Sequence, residues 1–234
     1  MTAQADTWAH LRLLGRFLLQ DRMGAVRTPV GARRLLALLA IQGPVERDTA
    51  ACMLWPDVTE RHAYGSLRTT LWRLRKVTTP VVIADGAVLE LAPLVVVDAR
   101  MLAERAQRAI RLQEDVALPD VMGDGELLPG WDEDWVIFER ERLRQLRLHA
   151  LEALVTTLLA RDQRGEALDA ALLCLRLEPL RESAHRAIVA VHLAERNVAE
   201  ALRAYESFRR LLREEMGLEP SAEFQALVAP LRGR

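Results

Sequence analysis

The sequence predicts a mostly α-helical chain of two domains, in which a mixed α+β domain precedes an all-α domain of helical repeats. With 234 residues, the chain exceeds the usual size of one compact domain. Residues 1–100 hold 13 basic and 9 acidic side chains, a net charge of +4, and residues 101–234 hold 19 basic and 24 acidic side chains, a net charge of −5. The net charge of −1 for the whole chain therefore conceals two halves of opposite charge. Strand-like and helical patterns mix in the first half, whereas helical periodicity alone continues in the second. We place the domain boundary between residues 97 and 98.

The first elements follow from alternation and from turn residues. Leu11, Leu13 and Gly15 alternate with polar residues ahead of an apolar segment, which predicts a leading strand or hairpin. A first helix is predicted from Gly31 until Gly43 and Pro44 end it. A second helix is predicted with Asp48 or Thr49 as its N-cap and with Pro56 as its stop.

The third predicted helix runs from Glu60 to about Val77 and carries an unusual charge pattern. Ala63, Leu67, Leu71 and Leu74 follow one another at spacings of four, four and three, which predicts a single buried stripe. The face opposite this stripe is polar and basic. Between positions 61 and 76 the helix holds five basic residues and no acidic one.

A hairpin is predicted after this helix, with strands over residues 81–83 and 88–91 and a turn at Asp85-Gly86. A strand region, three helices with the last one basic, and a closing hairpin make up a winged helix, whose third helix enters the major groove of DNA. A basic helix face is also a common solvated surface, and both interpretations stay open. Trp72 on that face either packs against the hairpin or lies along a sugar-phosphate edge.

The second half contains an internal repeat. Shifting residues 150–170 by 34 positions gives nine identities in 21, among them the run Glu166-Ala167-Leu168, which matches Glu200-Ala201-Leu202. A period of 34 is typical of tetratricopeptide helix pairs. Stacked pairs of this kind bind a peptide or a protein partner, or form a dimer surface.

Long segments of the chain resemble a known family. The segment LLPGWDEDWVIFERERLRQLRLHALEAL and the one that begins RLEPLRESAHRAIVAVHLAERN resemble the bacterial transcriptional activator domain of SARP-type regulators, the Streptomyces antibiotic regulatory protein family. This match covers about residues 98–232. The first half, with MLWPD and SLRTTLWRLRKV, is similar to that family's DNA-binding domain, a winged helix of the response-regulator type.

The resemblance implies a function. It implies a DNA-binding activator, specific for one pathway such as an antibiotic or other secondary-metabolite gene cluster, that binds direct repeats in promoter DNA. The partners it implies are double-stranded DNA and RNA polymerase, with at least a dimer on DNA. An alternative is a protein-interaction adaptor, whose repeat domain binds a partner and whose winged helix has lost specific DNA binding.

The resemblance also assigns residues. Arg73, Leu74 and Arg75 match the end of the family's recognition helix, whereas Gly65 and Trp72 replace the residues usual there. The hairpin ADGAVLEL lacks the tip common in the family. The candidate DNA-binding residues are Ser66, Arg68, Thr69, Trp72, Arg73, Arg75 and Lys76.

Other chemistry finds little support in the sequence, and we expect no catalytic residue, no metal site and no cofactor. No GxxxxGK[ST] phosphate loop occurs, and the one lysine, Lys76, lies in the basic helix. Cys52 and Cys174 have apolar neighbours, which suits reduced core thiols better than a bridge or a metal site. Trp131 and Trp135 are expected to pack at the start of the repeat domain and to hold it in place, that is, to staple it.

The location of the protein is predicted from its apolar segments. The N-terminus lacks a basic start followed by a long apolar run, which argues against a secretory signal. Residues 35–41 form one of the longest apolar stretches and are too few to span a bilayer. The sequence therefore predicts a cytoplasmic protein that does not bind membranes.

Overall fold

The computed structural model describes residues 9–111, 116–123 and 125–231. The absence of a secretory signal is inferred partly from residues 1–8, which lie outside the described residues. Among the helices described, none has the length and apolar character needed to cross a membrane. The chain divides into two compact units, Met1–Leu102 with Asp124–Glu141, and Ala103–Gly123 with Arg142–Arg234. The functional boundary after residue 97 stays a prediction.

The first unit begins with short strands and three helices and closes with a hairpin and one more strand. In chain order these are β1 (Ala9–Arg12), β2 (Leu18–Asp21), β3 (Gly24–Ala25), α1 (Val30–Gln42), β4 (Val45–Glu46), α2 (Arg47–Leu54), α3 (Glu60–Val77), β5 (Val82–Asp85), β6 (Val88–Leu91) and β7 (Val95–Val97). The leading strands, predicted as a strand or a hairpin, the three helices and the later hairpin are all present. The first strand of the later hairpin extends to Asp85 instead of ending at residue 83, so its turn lies at Gly86-Ala87, one residue after the predicted place. This unit is a winged helix.

Two small sheets frame the helices. One has the order β3-β2-β1-β7, in which β1 pairs antiparallel with β2 and parallel with β7, so that Ala9 lies opposite Val95. The Asp98 carboxylate accepts hydrogen bonds from the backbone N–H groups of Leu13 and Leu14, at 2.8 and 3.0 Å. The other sheet has the order β4-β6-β5 and contains the hairpin that forms the wing.

The start of α2 differs from its prediction. The helix begins at Arg47 and its N-cap is Glu46, without a side-chain capping bond, so the predicted caps Asp48 and Thr49 lie inside the first turn. Pairing of β4 with β6 fixes Val45 and Glu46 in extended conformation immediately before the helix. Strand pairing thus sets the helix start, and a capping side chain is not needed.

A later segment, residues 125–141, also belongs to the first unit. The N–H of Gly15 donates to the carbonyl of Glu126, and that of Leu128 donates to the carbonyl of Leu13, both at 2.8 Å. Trp131 stacks on Phe17 with ring centroids 6.2 Å apart. The prediction that Trp131 staples the repeat domain is therefore wrong, because its ring packs in the first unit.

The remaining helices are α4 (Asp98–Ile110), α5 (Leu118–Met122), α6 (Asp134–Ala160), α7 (Arg164–Leu177), α8 (Glu182–Ala194), α9 (Val198–Met216) and α10 (Ala222–Val228), followed by a 3-10 turn at Ala229–Leu231. The division between the units falls within α4 and within α6. The described part of the second unit is helical, as the sequence predicts.

The 34-residue repeat is visible in the backbone of the second unit. The turn between α6 and α7 has Asp162 at φ 59°, and the turn between α8 and α9 has Arg196, 34 positions later, at φ 62°. The next residues, Gln163 and Asn197, are the N-caps of α7 and α9, with φ and ψ of −85° and 65° and of −83° and 63°. The two helix pairs therefore share one turn geometry, which confirms a tetratricopeptide-like fold.

The two cysteines have different environments. Cys174 is buried in the core of the second unit, where desolvation raises the pKa of its thiol to about 12. Cys52 is exposed, because α2 turns Ala50, Ala51 and Leu54 inward. The prediction of a core thiol is correct for Cys174 and wrong for Cys52.

Candidate nucleic-acid interface

One face of helix α3 packs against the rest of the first unit. Ala63, Leu67, Thr70 and Leu74 are buried, and Leu71 is only half-buried. The predicted stripe is thus correct at three of its four positions. Thr70 takes the place of Leu71, because α1 passes close to it: a Cβ added at Gly31 would lie 3.0 Å from the Thr70 hydroxyl oxygen.

Polar contacts hold both ends of α3. Before the helix, the Thr59 hydroxyl and Nδ1 of His62 are 2.7 Å apart. After it, the Thr78 hydroxyl donates to the Asp21 carboxylate on β2, at 3.2 Å. The helix is therefore fixed in position while its outward face stays open.

The seven candidate residues occupy the outward half of this helix. Ser66 is half-buried, and the other six are exposed: Arg68, Thr69, Trp72, Arg73, Arg75 and Lys76. The Thr69 hydroxyl donates to the carbonyl of Gly65 at 2.8 Å, so its oxygen is left to act as an acceptor. Four of the six exposed side chains, those of Arg68, Arg73, Arg75 and Lys76, are cations, so the outward half of α3 is a cationic surface.

Trp72 and Lys76 form a contact on this surface. The Lys76 Nζ lies 3.7 Å from the centroid of the Trp72 ring, a cation–π geometry, and the Trp72 residue is 56% exposed. The interaction restricts both side chains without burying them. An indole flanked by an ammonium group thus faces outward next to the arginines.

A groove of about 750 Å³ runs beside α3. Four of the candidate residues line it, namely Ser66, Arg68, Thr69 and Arg73, together with Arg61 and the Trp55 ring. Trp72, Arg75 and Lys76 lie outside the groove. The lining residues that the structure describes include no carboxylate, so the groove favours an anion.

The candidate list missed Arg47 and Arg61. Both line a second cavity, of about 580 Å³, together with Gly65 and Arg68. Arg47 is the first residue of α2, whereas the predicted N-caps Asp48 and Thr49 placed it before the helix, so the sequence carries no signal that finds it. The neighbouring Tyr64 is hydrogen bonded to Asp48, which raises the pKa of Tyr64 to about 12. This bond links α2 to α3 beside the arginines.

The wing has a different character from α3. Its turn contains Gly86 at φ 55°, and the exposed Asp85 is at the tip. Strands β5 and β6 and their turn carry two acidic residues, Asp85 and Glu90, and no basic one. Positive charge in this part of the first unit is therefore concentrated on α3 and at the start of α2.

Comparison with known proteins shows where the chain belongs. The family model described as "Bacterial transcriptional activator domain" matches residues 96–232. The chain belongs to the SARP-type family of regulators that carry this domain. A regulatory protein, AfsR of Streptomyces coelicolor, is 30% identical over 89% of the chain, and AfsR of Streptomyces griseus is 29% identical over 74%.

This SARP-type chain is much shorter than those relatives, because it spans 24% and 19% of their respective lengths. A solved structure of Mycobacterium tuberculosis EmbR, in complex with a low-affinity phosphopeptide, matches 97% of the chain with a TM-score of 0.66 and 19% sequence identity. The chain covers 65% of that structure. The structural likeness supports the winged helix followed by helical repeats.

Proposed function

We propose that this chain is a DNA-binding transcriptional activator whose α3 enters the major groove of promoter DNA. The observation that carries the proposal is the outward half of α3, where Arg68, Arg73, Arg75 and Lys76 are exposed with no acidic residue among them. Guanidinium groups pair with phosphate oxygens and with the O6 and N7 atoms of guanine. Arg73 and Arg75 are the residues that we assign to base or backbone contacts.

The second unit supplies the activating function in this proposal. Its repeat pairs are suited to binding a protein partner, and we assign them to contact with RNA polymerase. In this proposal two protomers bind side by side on direct repeats of the promoter DNA. The AfsR relatives are named as regulatory proteins, which supports a regulatory role. A secondary-metabolite gene cluster is the target that the family membership favours.

A mobility-shift experiment with DNA from upstream of the chain's own gene tests the proposal. The variant Arg73→Ala, Arg75→Ala should weaken binding at least tenfold and lower the slope of log affinity against log salt by about two. The variant Arg176→Ala, Arg210→Ala, which removes the same charge from exposed sites in the second unit, is the matched control and should bind as the wild type does. Equal retardation of the two double variants would exclude α3 as the DNA contact.

Lys76 offers a second, independent measurement. Because it is the only lysine of the sequence, an amine-specific acylating reagent labels Lys76 and the N-terminal amine alone. Bound DNA should slow the labelling of Lys76 several-fold, and high salt should restore the rate. The N-terminal amine serves as the internal control, and an unchanged Lys76 rate at saturating DNA would contradict the proposal.

The wing favours a second candidate function. Because Asp85 and Glu90 repel phosphate, the hairpin gives no electrostatic support to DNA binding, as expected of an adaptor whose winged helix has lost specific binding. For such an adaptor, a partner captured by the chain would be retained equally after nuclease treatment. Protection of two direct half-sites in a footprint would instead favour the activator.

A further inference from the structure

Gly65 lies in the interior of α3, where glycine is the least favourable residue apart from proline. The structure shows no internal reason for it. Its φ is not in the left-handed region, and a Cβ added there would meet no described atom within 4 Å. Gly31 is the contrast, because its added Cβ would press against the Thr70 hydroxyl at 3.0 Å. Packing thus accounts for Gly31, whereas Gly65 leaves space toward the outside.

Three arginines surround the space at Gly65. Arg47, Arg61 and Arg68 line its cavity of about 580 Å³, and the described lining includes no carboxylate. Among the ion pairs of the described residues, none uses these three side chains. These arginines therefore have no ion-pair partner among the described residues, and the Asp48 carboxylate beside the cavity is bonded to Tyr64. No side chain covers the helix at Gly65.

We propose that Gly65 with Arg47, Arg61 and Arg68 forms a binding site for a phosphodiester group of DNA, here named the Gly65 notch. Arginines bind phosphate oxygens through short, charge-assisted hydrogen bonds, and a glycine leaves free the space beside the helix that a side chain would fill. The notch rests on the proposed DNA-binding function. It joins Arg68, one of the candidate DNA-binding residues, to Gly65, Arg47 and Arg61, which are not among them, and it reaches from α3 to α2.

The notch predicts opposite effects of one substitution on stability and on binding. Gly65→Ala adds a methyl group into open space and improves helix propensity, so the thermal midpoint should rise by about 2–4 °C. The same methyl group occupies the space of the phosphate, so affinity for DNA should fall by about tenfold, the equivalent of one lost charge-assisted contact. Gly65→Leu, whose helix propensity is close to that of alanine, should weaken binding further.

The experiment uses the full chain and a fluorescein-labelled duplex of mixed sequence, followed by anisotropy across a salt series. Contacts to phosphate do not depend on sequence, so an unidentified operator is no obstacle. The control is Gly165→Ala in α7, where an added Cβ also meets no described atom within 4 Å. It should leave DNA affinity unchanged. Arg61→Gln should reduce the salt slope by about one.

The outcomes separate the notch from the proposed function. If the wild-type chain binds DNA and Gly65→Ala and Gly65→Leu bind equally well, the notch is wrong and the DNA-binding function stands. If the wild-type chain does not bind the duplex at low salt, both fail. Inorganic phosphate, added at constant ionic strength set with chloride, should not displace the duplex. Displacement that Gly65→Ala abolishes would show a free-phosphate site and would overturn the assignment to DNA.

Discussion

His185 shows how a single residue couples the repeat helices to pH. Its ring stacks on Phe208 with centroids 4.2 Å apart, and its Nε2 lies 2.9 Å from the carbonyl oxygen of Pro179. Burial lowers the pKa of His185 below its ordinary value of 6.5. The neutral ring is therefore the form that the folded chain prefers.

The stability of the second unit should consequently fall in acid. Below about pH 6.5 the unfolded chain binds a proton at this residue that the folded chain resists, so stability rises with pH across this range and is lost as pH falls. Thermal melts between about pH 7.5 and 5.5 should show a smaller acid loss for His185→Phe, which keeps the stacking, than for the wild type. His10→Gln, at an exposed position on β1, is the control. An identical acid loss in His185→Phe would contradict this role.

Single residues also show what helical periodicity could and could not predict. Spacing of about 100° per residue correctly placed Arg73 and Lys76 outside, because exposure on one helix depends on local geometry. The same spacing wrongly predicted that Leu71 is buried in place of Thr70, because the close approach of Gly31 from another helix does not show in the periodicity of α3. Arg47 was missed for the same reason, since its closeness to Gly65 depends on how α2 packs on α3.

At the scale of elements, the two repeat turns have matched backbones and unmatched residues. Asp162 and Arg196 both adopt left-handed φ values, yet aspartate tolerates that region better than arginine does. Arg196→Gly should therefore stabilise the chain by up to about 1 kcal/mol. Asp162→Gly should gain less stability, because aspartate is less strained in this region and because the variant loses the ion pair between Asp162 and Arg164, at 2.6 Å. Chemical denaturation of the two variants measures the difference.

This prediction has a simple control within the same turns. Gln163 and Asn197 follow the left-handed residues and have negative φ, so their replacement by glycine should destabilise the chain slightly. An Arg196→Gly variant that loses stability would show that the arginine side chain contributes more than the backbone strain. The repeat itself was predictable from nine identities, but the left-handed position was not, because neither turn places glycine there.

At the scale of the whole molecule, residues far along the chain complete the winged helix. Leu127 is 2% exposed and forms a β-bridge with Leu14, and Arg140 donates to the carbonyls of Leu127 and Leu128 at 2.8 and 2.7 Å. Glu133 pairs with Arg34 of α1 at 2.7 Å. Residues 125–141 are thus a structural part of the unit that carries α3.

Leu127→Ala should therefore destabilise the first unit by about 2–4 kcal/mol, the usual loss for a buried leucine. Tryptophan fluorescence during urea unfolding provides the measurement, because Trp131 stacks four residues away. Leu94→Ala removes the same atoms from a position in the first unit that is 44% exposed, and it should change stability by less than about 1 kcal/mol. Equal losses in the two variants would mean that residues 125–141 add little to the winged helix.

Composition and periodicity predict the two halves of the chain, but they do not predict that residues 125–141 pack in the first unit. Charge and helical pattern change near residue 100, and both are averages over many positions. The hydrogen bonds between Gly15 and Glu126 and between Leu13 and Leu128 depend on two short irregular segments that carry no pattern. Prediction from sequence therefore placed Trp131 with the helices that follow it, whereas its stacking partner Phe17 precedes it by more than a hundred residues.

The parallel pairing of β1 with β7 sets an order of events during synthesis. Ala9 and Val95 are partners, so β1 leaves the ribosome long before the strand that covers its second edge. Until residue 97 has emerged, that edge is open to other strands, and closing so large a loop slows folding. Because residues 125–131 are added later still, a nascent chain stalled before them holds α3 without its complete support. The winged helix is therefore finished only after translation has passed well beyond its own last strand.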